Sequence, residues 1–172
     1  MNLYICQICG DAYIGTEIPK DCPFCGAGES FIKLGKEYAP ILESEESLGE
    51  VSKKNLEYSL DLEKTASGIY TCMANCAGSY EVKAMYKCLA KVEWEHANAI
   101  SKMLKLERPQ VSQEMCSEDE TENFQKTITL EDNAVKQYRQ FAKEAQEKAV
   151  KILFTALAKV EEGHIELINS YL

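Results

Sequence analysis

The feature that most constrains this chain is a stretch of eight residues that occurs twice, once ending at His96 and once at His164. Each copy contains Glu-x-x-His, formed by Glu93 with His96 and by Glu161 with His164, and the chain has no other histidine. Side chains three residues apart lie on the same face of an α-helix. Each copy therefore predicts a helix that presents a carboxylate and an imidazole together.

The repeat extends well beyond these eight residues. The offset of 68 residues between the two histidines also relates Glu63 to Glu131 and Tyr70 to Tyr138. In each half the tyrosine follows the glutamate by about two helical turns, so that both side chains share a face. A charged glutamate within an apolar stripe is costly unless it is paired or bound to metal. The internal repeat therefore predicts two helical hairpins about a pseudo-twofold axis, with the four motifs meeting at its centre.

The apolar pattern gives the fold class. It predicts four helices, at about 48–77, 80–105, 117–145 and 147–171. The connection 106–117, which contains Pro109, is long enough for the crossover of a ferritin-like bundle. The break between the last two helices, near 145–148, lacks Gly and Pro. We therefore predict a mainly α protein in which residues 51–172 form a ferritin-like four-helix bundle with one long crossover.

Four carboxylates and two imidazoles on these helices form the donor set known from ferritin-like di-iron and di-manganese proteins. Carboxylate oxygens with imidazole nitrogens suit iron or manganese. The predicted ligands are Glu63, Glu93, His96, Glu131, Glu161 and His164. Among them, Glu93 and Glu161 are expected to bridge two metals, and the six residues are also the predicted catalytic set. Tyr70 and Tyr138 are added to it as hydrogen-bond donors to ligand carboxylates; packing in the core is their alternative role.

Residues 1–35 differ from the rest of the chain and are predicted to form a separate metal domain. They contain two Cys-x-x-Cys pairs, each followed by glycine, made of Cys6, Cys9, Cys22 and Cys25. Four thiolates at this spacing form a tetrahedral site for zinc or for a single iron. A segment this small has too little core to fold alone without a metal. Residues 36–50, rich in Glu and Ser, are predicted to be a linker.

The two cysteine knuckles, Tyr-Ile-Cys-Gln-Ile-Cys-Gly and Cys-Pro-Phe-Cys-Gly, resemble those of rubredoxin in the short form found in rubrerythrins. The segment from Asn55 through Tyr70 resembles the first rubrerythrin helix, and both Glu-x-x-His segments resemble its metal motifs. The chain thus resembles a rubrerythrin over nearly its whole length, in the domain order called reverse rubrerythrin. The resemblance favours iron over zinc in the four-cysteine site.

What the resemblance implies is a non-haem di-iron oxidoreductase that reduces hydrogen peroxide, and dioxygen as a further oxidant, to water. Electrons would come from NAD(P)H through a separate rubredoxin reductase-type donor and the rubredoxin-like iron. The family commonly forms homodimers in which one subunit's small domain serves the other's bundle, and it acts against oxidative stress. The alternatives are a ferroxidase or iron-handling protein, and a zinc-ribbon binding module with a metal-sensing bundle.

Two departures from the family pattern stand out. Typical rubrerythrins have another glutamate three residues after the lone glutamate of the third helix, where this chain has Ala134. If Glu131 instead occupied that extra position, Ile128 would stand at the ligand position and could not bind metal. The second departure is a set of extra cysteines, which we interpret as small buried hydrophobic residues, with a redox or metal role as the alternative. They are Cys72, Cys76, Cys88 and Cys116.

Composition excludes several classes of function. The formal net charge of −9 makes nucleic acid an unexpected partner. No apolar run reaches the roughly 20 residues that a membrane span needs. The N-terminus has no basic segment followed by an apolar one, so no secretory signal is expected. Eight cysteines in that context point to metal binding in a reducing, cytoplasmic compartment rather than to disulfides.

Overall fold

The computed structural model of the chain describes residues 1–42 and 47–172. Residues 43–46, part of the predicted linker 36–50, lie outside the described ranges. The remainder is mainly helical, as predicted. Its four helices are α1 (Glu50–Cys76), α2 (Tyr80–Met103), α3 (Glu120–Glu144) and α4 (Lys148–Asn169). Each begins and ends within about three residues of the position expected from the sequence.

The helix ends have identifiable caps. The Ser79 side chain accepts a hydrogen bond from the amide of Val82 at the start of α2, and Asp119 accepts one from Glu122 at the start of α3. The break before α4 is made without Gly or Pro. There the Glu147 carboxylate accepts from the Gly49 amide at 2.6 Å, which satisfies a free N–H at the start of α1.

The helices form two antiparallel hairpins, α1 with α2 and α3 with α4, joined by the crossover 104–119. The crossover lies along α1. Ser112 donates from Oγ to the carbonyl oxygen of Lys64 at 3.0 Å, and a Cβ added to Gly68 would lie 2.4 Å from the Ser112 carbonyl oxygen. Arg108 stacks over the Trp94 ring of α2 at 4.1 Å. The arrangement is the predicted ferritin-like bundle with one long crossover.

The N-terminal domain is a small antiparallel sheet with the strand order β2-β1-β3. Its strands are β1 (Asn2–Cys6), β2 (Ala12–Gly15) and β3 (Ile32–Leu34). Its few apolar side chains, including Ile8 and Ile32, belong to the same buried cluster as Ile100 and Phe154 of the bundle. The small domain therefore completes its core by lying against its own bundle.

None of the helices in the described ranges combines the length and the apolar character that crossing a membrane requires.

The interpretation of the four extra cysteines as small buried residues is wrong. Cys76 and Cys88 are exposed, and Cys72 forms a disulfide with Cys116. The expectation that the chain would lack disulfides is therefore wrong at this pair. The sequence alone did not show which face of α1 the crossover covers, and that face brings Cys116 onto Cys72.

Candidate metal centre

The four knuckle cysteines lie together and are buried in the small domain. The Sγ atoms of Cys6 and Cys25 are 3.7 Å apart, as are those of Cys9 and Cys22. Backbone amides point at two of the sulfurs, from Ile8 to Cys6 and from Asp11 to Cys9, each at 3.4 Å. Amides directed at sulfur stabilise thiolates. The cluster therefore has the donor set and the surroundings of a four-thiolate metal site.

The second cluster lies at the centre of the bundle and gathers one glutamate from each helix with both histidines. Around His96, the Nδ1 atom lies 3.0 Å from Glu93 Oε2, 3.2 Å from Glu161 Oε1 and 3.6 Å from Glu63 Oε1. All four side chains are at most 2% exposed. This is one half of the site.

The other half repeats the pattern around His164. Its Nδ1 atom lies 2.8 Å from Glu161 Oε2, 3.2 Å from Glu93 Oε1 and 3.4 Å from Glu131 Oε1. Glu93 and Glu161 thus each turn one oxygen toward each histidine. Glu63 and Glu131 lie at opposite ends, beside His96 and His164. If two metal ions occupied the site, Glu93 and Glu161 would be placed to bridge them, with Glu63 and Glu131 at the two ends.

The central atoms of this cluster lack hydrogen-bond partners among the described residues. These atoms are both carboxylate oxygens of Glu93 and Glu161 and the Nδ1 atoms of His96 and His164. They approach one another closely, but not in hydrogen-bond geometry. Buried polar atoms without partners are costly, and the cost is far larger for charged ones. Metal cations would compensate all six atoms, so the residues fit a pair of iron ions.

The cluster has strongly altered acidities without metal. Burial raises the pKa of Glu63 well above its ordinary value and raises that of Glu131 to about 8. Burial opposes charging of the histidines, but neighbouring carboxylates, chiefly Glu161 at His96 and Glu93 at His164, raise both histidine pKa values. Metal ions entering the site would therefore displace protons.

Two tyrosines reach the terminal carboxylates, each from the other half of the repeat. The Tyr70 hydroxyl donates to Glu131 Oε1 at 2.5 Å, and the Tyr138 hydroxyl donates to Glu63 Oε1. Both rings are fully buried, and burial together with the facing carboxylate raises the pKa of each phenol, so that the hydroxyl stays a donor. The sequence spacing places each tyrosine on the same helix face as the glutamate seven residues before it. It does not indicate that each tyrosine binds the glutamate of the other hairpin.

The two clusters meet at His96. Its Nε2 atom lies 2.9 Å from the carbonyl oxygen of Cys25, so Nε2–H can donate there while Nδ1 faces the carboxylates. Nearby, Lys102 donates from Nζ to the carbonyl oxygen of Cys9 at 2.8 Å. Neither contact was expected from the sequence. The signal in the sequence was the glycine that follows Cys25. In the structure Gly26 has a φ of +72°, and an added Cβ would lie 2.6 Å from Val160 Cγ1, so no side chain fits there.

A cavity of about 290 Å³ opens between α1 and α3 beside Glu63 and Glu131. Its walls include the half-exposed Tyr58 and the small, buried Ala134. Ala134, which stands where typical rubrerythrins have a glutamate, therefore lines the cavity that leads to Glu63 and Glu131. Ile128 lies in a hydrophobic cluster away from these donors, whereas Glu131 lies among them.

Comparison with known proteins bears on the identity of the two clusters. Residues 4–32 match the family model described as "Rubrerythrin, rubredoxin-like domain", and residues 54–126 match the model described as "Rubrerythrin". The chain thus carries a rubredoxin-like domain and a rubrerythrin domain. The rubredoxin-like domain comes first in it, which confirms the domain order expected from the sequence.

A curated relative and a solved structure each resemble much of the chain. Reverse rubrerythrin-1 of Clostridium acetobutylicum is 34% identical over 113 residues, which cover 60% of this chain and 62% of that relative. The match thus spans less than two thirds of the relative. The solved structure of wild-type KatB, a manganese catalase from Anabaena, superposes with a TM-score of 0.58 at 15% identity, covering 76% of this chain and 77% of that one. This likeness shows a shared fold.

Proposed function

We propose that the chain is a non-haem di-iron oxidoreductase that reduces hydrogen peroxide to water, with dioxygen as a second oxidant and electrons arriving through the rubredoxin-like iron. The observation that carries the proposal is the position of His96. Its Nδ1 atom faces three carboxylates of the bundle, and its Nε2 atom lies 2.9 Å from the carbonyl oxygen of a knuckle cysteine, Cys25. One side chain thus touches both candidate metal sites.

The bundle cluster is suited to hold two divalent cations. Its four carboxylates carry enough negative charge to neutralise two such ions, which matters at a site that is nearly closed to water. Glu93 and Glu161 would bridge, and Glu63 and Glu131 would bind at the ends. Two iron ions held there would supply two electrons to the oxygen–oxygen bond of a peroxide, which with two protons gives two water molecules.

Two tyrosines and one cavity contribute to the proposed reaction beside the metal ligands themselves. Tyr70 and Tyr138 hold the terminal carboxylates by hydrogen bonds, so that these ligands keep their orientation as charge in the site changes. The cavity beside Ala134 reaches Glu63 and Glu131 and is large enough to hold a small molecule. A small oxidant such as hydrogen peroxide fits this approach.

The electron route is the second part of the proposal. The contact from Cys25 to His96 lies within one chain, so a single subunit supplies a short connection between the two clusters. We propose an NAD(P)H-dependent rubredoxin reductase-type protein as the donor to the small domain. A homodimer remains our expectation for the assembly, and we expect the chain to act in the cytoplasm.

Two measurements test the proposal. Stopped-flow mixing of the fully reduced protein with peroxide and with dioxygen should show faster oxidation of the bundle site by peroxide. Cys9→Ser should block reduction of the bundle metals by an external reductase while leaving their content unchanged. Cys88→Ser, which alters an exposed cysteine, should change neither the reduction nor the metal content. Unimpaired turnover in Cys9→Ser would remove the small domain from the electron path.

The same samples distinguish the alternatives. A ferric four-thiolate site is coloured, whereas a zinc ribbon is colourless and would favour the binding-module hypothesis. A ferroxidase would oxidise many equivalents of added ferrous iron and retain the product. Oxidation limited to the bound metals, with each turnover driven by the reductase, is the result expected for the peroxidase.

A further inference from the structure

Three cysteines outside both metal clusters bring their sulfur atoms together on the surface of α1. Cys72 forms a disulfide with Cys116, and the free thiol of Cys76 lies 3.7 Å from Cys116 Sγ. Cys72 and Cys76 are one helical turn apart, so both project toward the same point of the crossover. A disulfide with a third thiol at contact distance is the arrangement from which thiol–disulfide exchange begins.

We propose that Cys72, Cys76 and Cys116 form a thiol–disulfide exchange site that accepts two electrons from a dithiol. In the internal step, the Cys76 thiolate attacks Cys116 Sγ. The Cys76–Cys116 bond forms, the Cys72–Cys116 bond breaks, and the electron pair leaves on Cys72. The proton lost by Cys76 goes to solvent, and Cys72 takes one up, so that the step moves the disulfide without net oxidation.

The internal step moves the disulfide from partly buried sulfur atoms to an exposed one. Cys72 and Cys116 are partly buried, whereas Cys76 is exposed. After exchange, the exposed sulfur belongs to the disulfide and can be attacked from solvent. The first thiolate of an external dithiol then bonds to Cys76 and releases Cys116. Its second thiolate displaces Cys76, so that the dithiol leaves as a disulfide and the protein gains two electrons and two protons.

The crossover is held on α1 by contacts that do not involve sulfur. The Ser112 hydroxyl donates to the Lys64 carbonyl, and the Gly78 amide donates to Glu120 Oε1 at 2.7 Å just beyond Cys116. Close approach at Gly68 adds a third point. These contacts keep Cys116 beside both helical cysteines when all three are reduced. Hydrogen peroxide can then oxidise either pair, with two thiols and one peroxide giving one disulfide and two water molecules.

The positions of methionine and lysine allow the two disulfides to be told apart. Cyanogen bromide cuts after Met73 and Met115, and trypsin cuts after Lys64. Cys72, Cys76 and Cys116 then lie on three separate peptides. The holoprotein is incubated at about pH 8.5, near the ordinary pKa of a thiol. Remaining thiols are then blocked in acid, the protein is cleaved, and linked peptides are measured by mass spectrometry.

The expected result is a Cys76–Cys116 linkage that increases during incubation as the Cys72–Cys116 linkage decreases. In Cys72→Ser, peroxide should form the Cys76–Cys116 bond, and in Cys76→Ser reduction by dithiothreitol should be several-fold slower than in the unaltered protein. Cys88→Ser is the matched control and should behave as the unaltered protein. A Cys72–Cys116 linkage that never moves, together with unchanged reduction in Cys76→Ser, would overturn the proposal. Metal content, measured in parallel, should be equal in all samples.

Discussion

The hydroxyl of Tyr70 on α1 donates a hydrogen bond to Glu131 on α3, at 2.5 Å. Its repeat partner, Tyr138 on α3, donates to Glu63 on α1. Each hairpin therefore supplies a terminal carboxylate and holds the terminal carboxylate of the other hairpin. Two hydrogen bonds between the hairpins thus hold the site, and neither hairpin alone provides both a terminal carboxylate and the tyrosine that binds it.

Removing either phenol should weaken metal binding. Tyr70→Phe leaves the Glu131 carboxylate without its donor in a buried site, and hydrogen-bond partners of metal ligands contribute about 10- to 100-fold in affinity or activity. Metal titration of the variant checks this. Tyr86→Phe is the matched control, because Tyr86 is equally buried but contacts Thr127 instead of a carboxylate. Equal metal affinity in both variants would show that the hydrogen bond from Tyr70 to Glu131 does not contribute to metal binding.

The bridging role assigned to Glu161 predicts a stoichiometry. Glu161→Gln keeps the shape of the side chain but removes the charge that faces both histidines, so loading should fall from two metal ions toward one per bundle. Elemental analysis after dialysis measures this. Glu162→Gln alters the neighbouring residue, which pairs with Arg139 and Lys159 at the surface, and should leave loading unchanged. Two retained ions in Glu161→Gln would refute bridging.

Gly26 sets how closely the small domain approaches the bundle. In Gly26→Ala the new Cβ would lie 2.6 Å from Val160 Cγ1, at a φ of +72° that alone costs about 1–2 kcal/mol. We expect a lower free energy of unfolding and slower electron transfer between the two metal sites, because Cys25 would move away from His96. Thermal unfolding and single-turnover kinetics measure the two effects.

The same substitution at a neighbouring glycine tests whether the effect is specific to position 26. Gly28→Ala is in the same domain, where φ is −64° and the added Cβ would meet nothing within 4 Å. It should change neither property. Combining Gly26→Ala with Val160→Ala should restore part of the electron-transfer rate by relieving the steric clash. Normal transfer in Gly26→Ala alone would argue against a route through this contact.

The disulfide between α1 and the crossover should stabilise the fold. It closes a loop with a sequence separation of 44, for which the chain-entropy model gives about 4 kcal/mol. Cys116→Ser removes both the Cys72–Cys116 and the Cys76–Cys116 disulfide and should lower the free energy of unfolding by up to that amount. Chemical denaturation under non-reducing conditions measures the change. Cys88→Ser should unfold like the unaltered protein, and a reducing agent should abolish the difference between the two.

The fold and the order of the two domains could be predicted from the sequence because they depend on local periodicity and on ligand spacing. The pattern Glu, Tyr and Glu-x-x-His, repeated at a fixed offset, specifies helix faces without knowledge of how the helices are arranged. The end of α3 at Ala145 is different, because periodicity does not set it. The break that follows it depends on the Glu147 carboxylate, which binds the distant Gly49 amide, and no local signal records such a contact.

The sequence by itself determined that two Glu-x-x-His helices, two glutamate helices and two cysteine knuckles exist in this chain, since each is a short-range pattern. Only the tertiary structure decided that Tyr70 holds Glu131 rather than Glu63, that His96 touches Cys25, and that Cys116 reaches Cys72. These contacts join residues 44 to 71 positions apart. Such contacts arise from the way whole helices dock, which residue spacing along one helix does not encode.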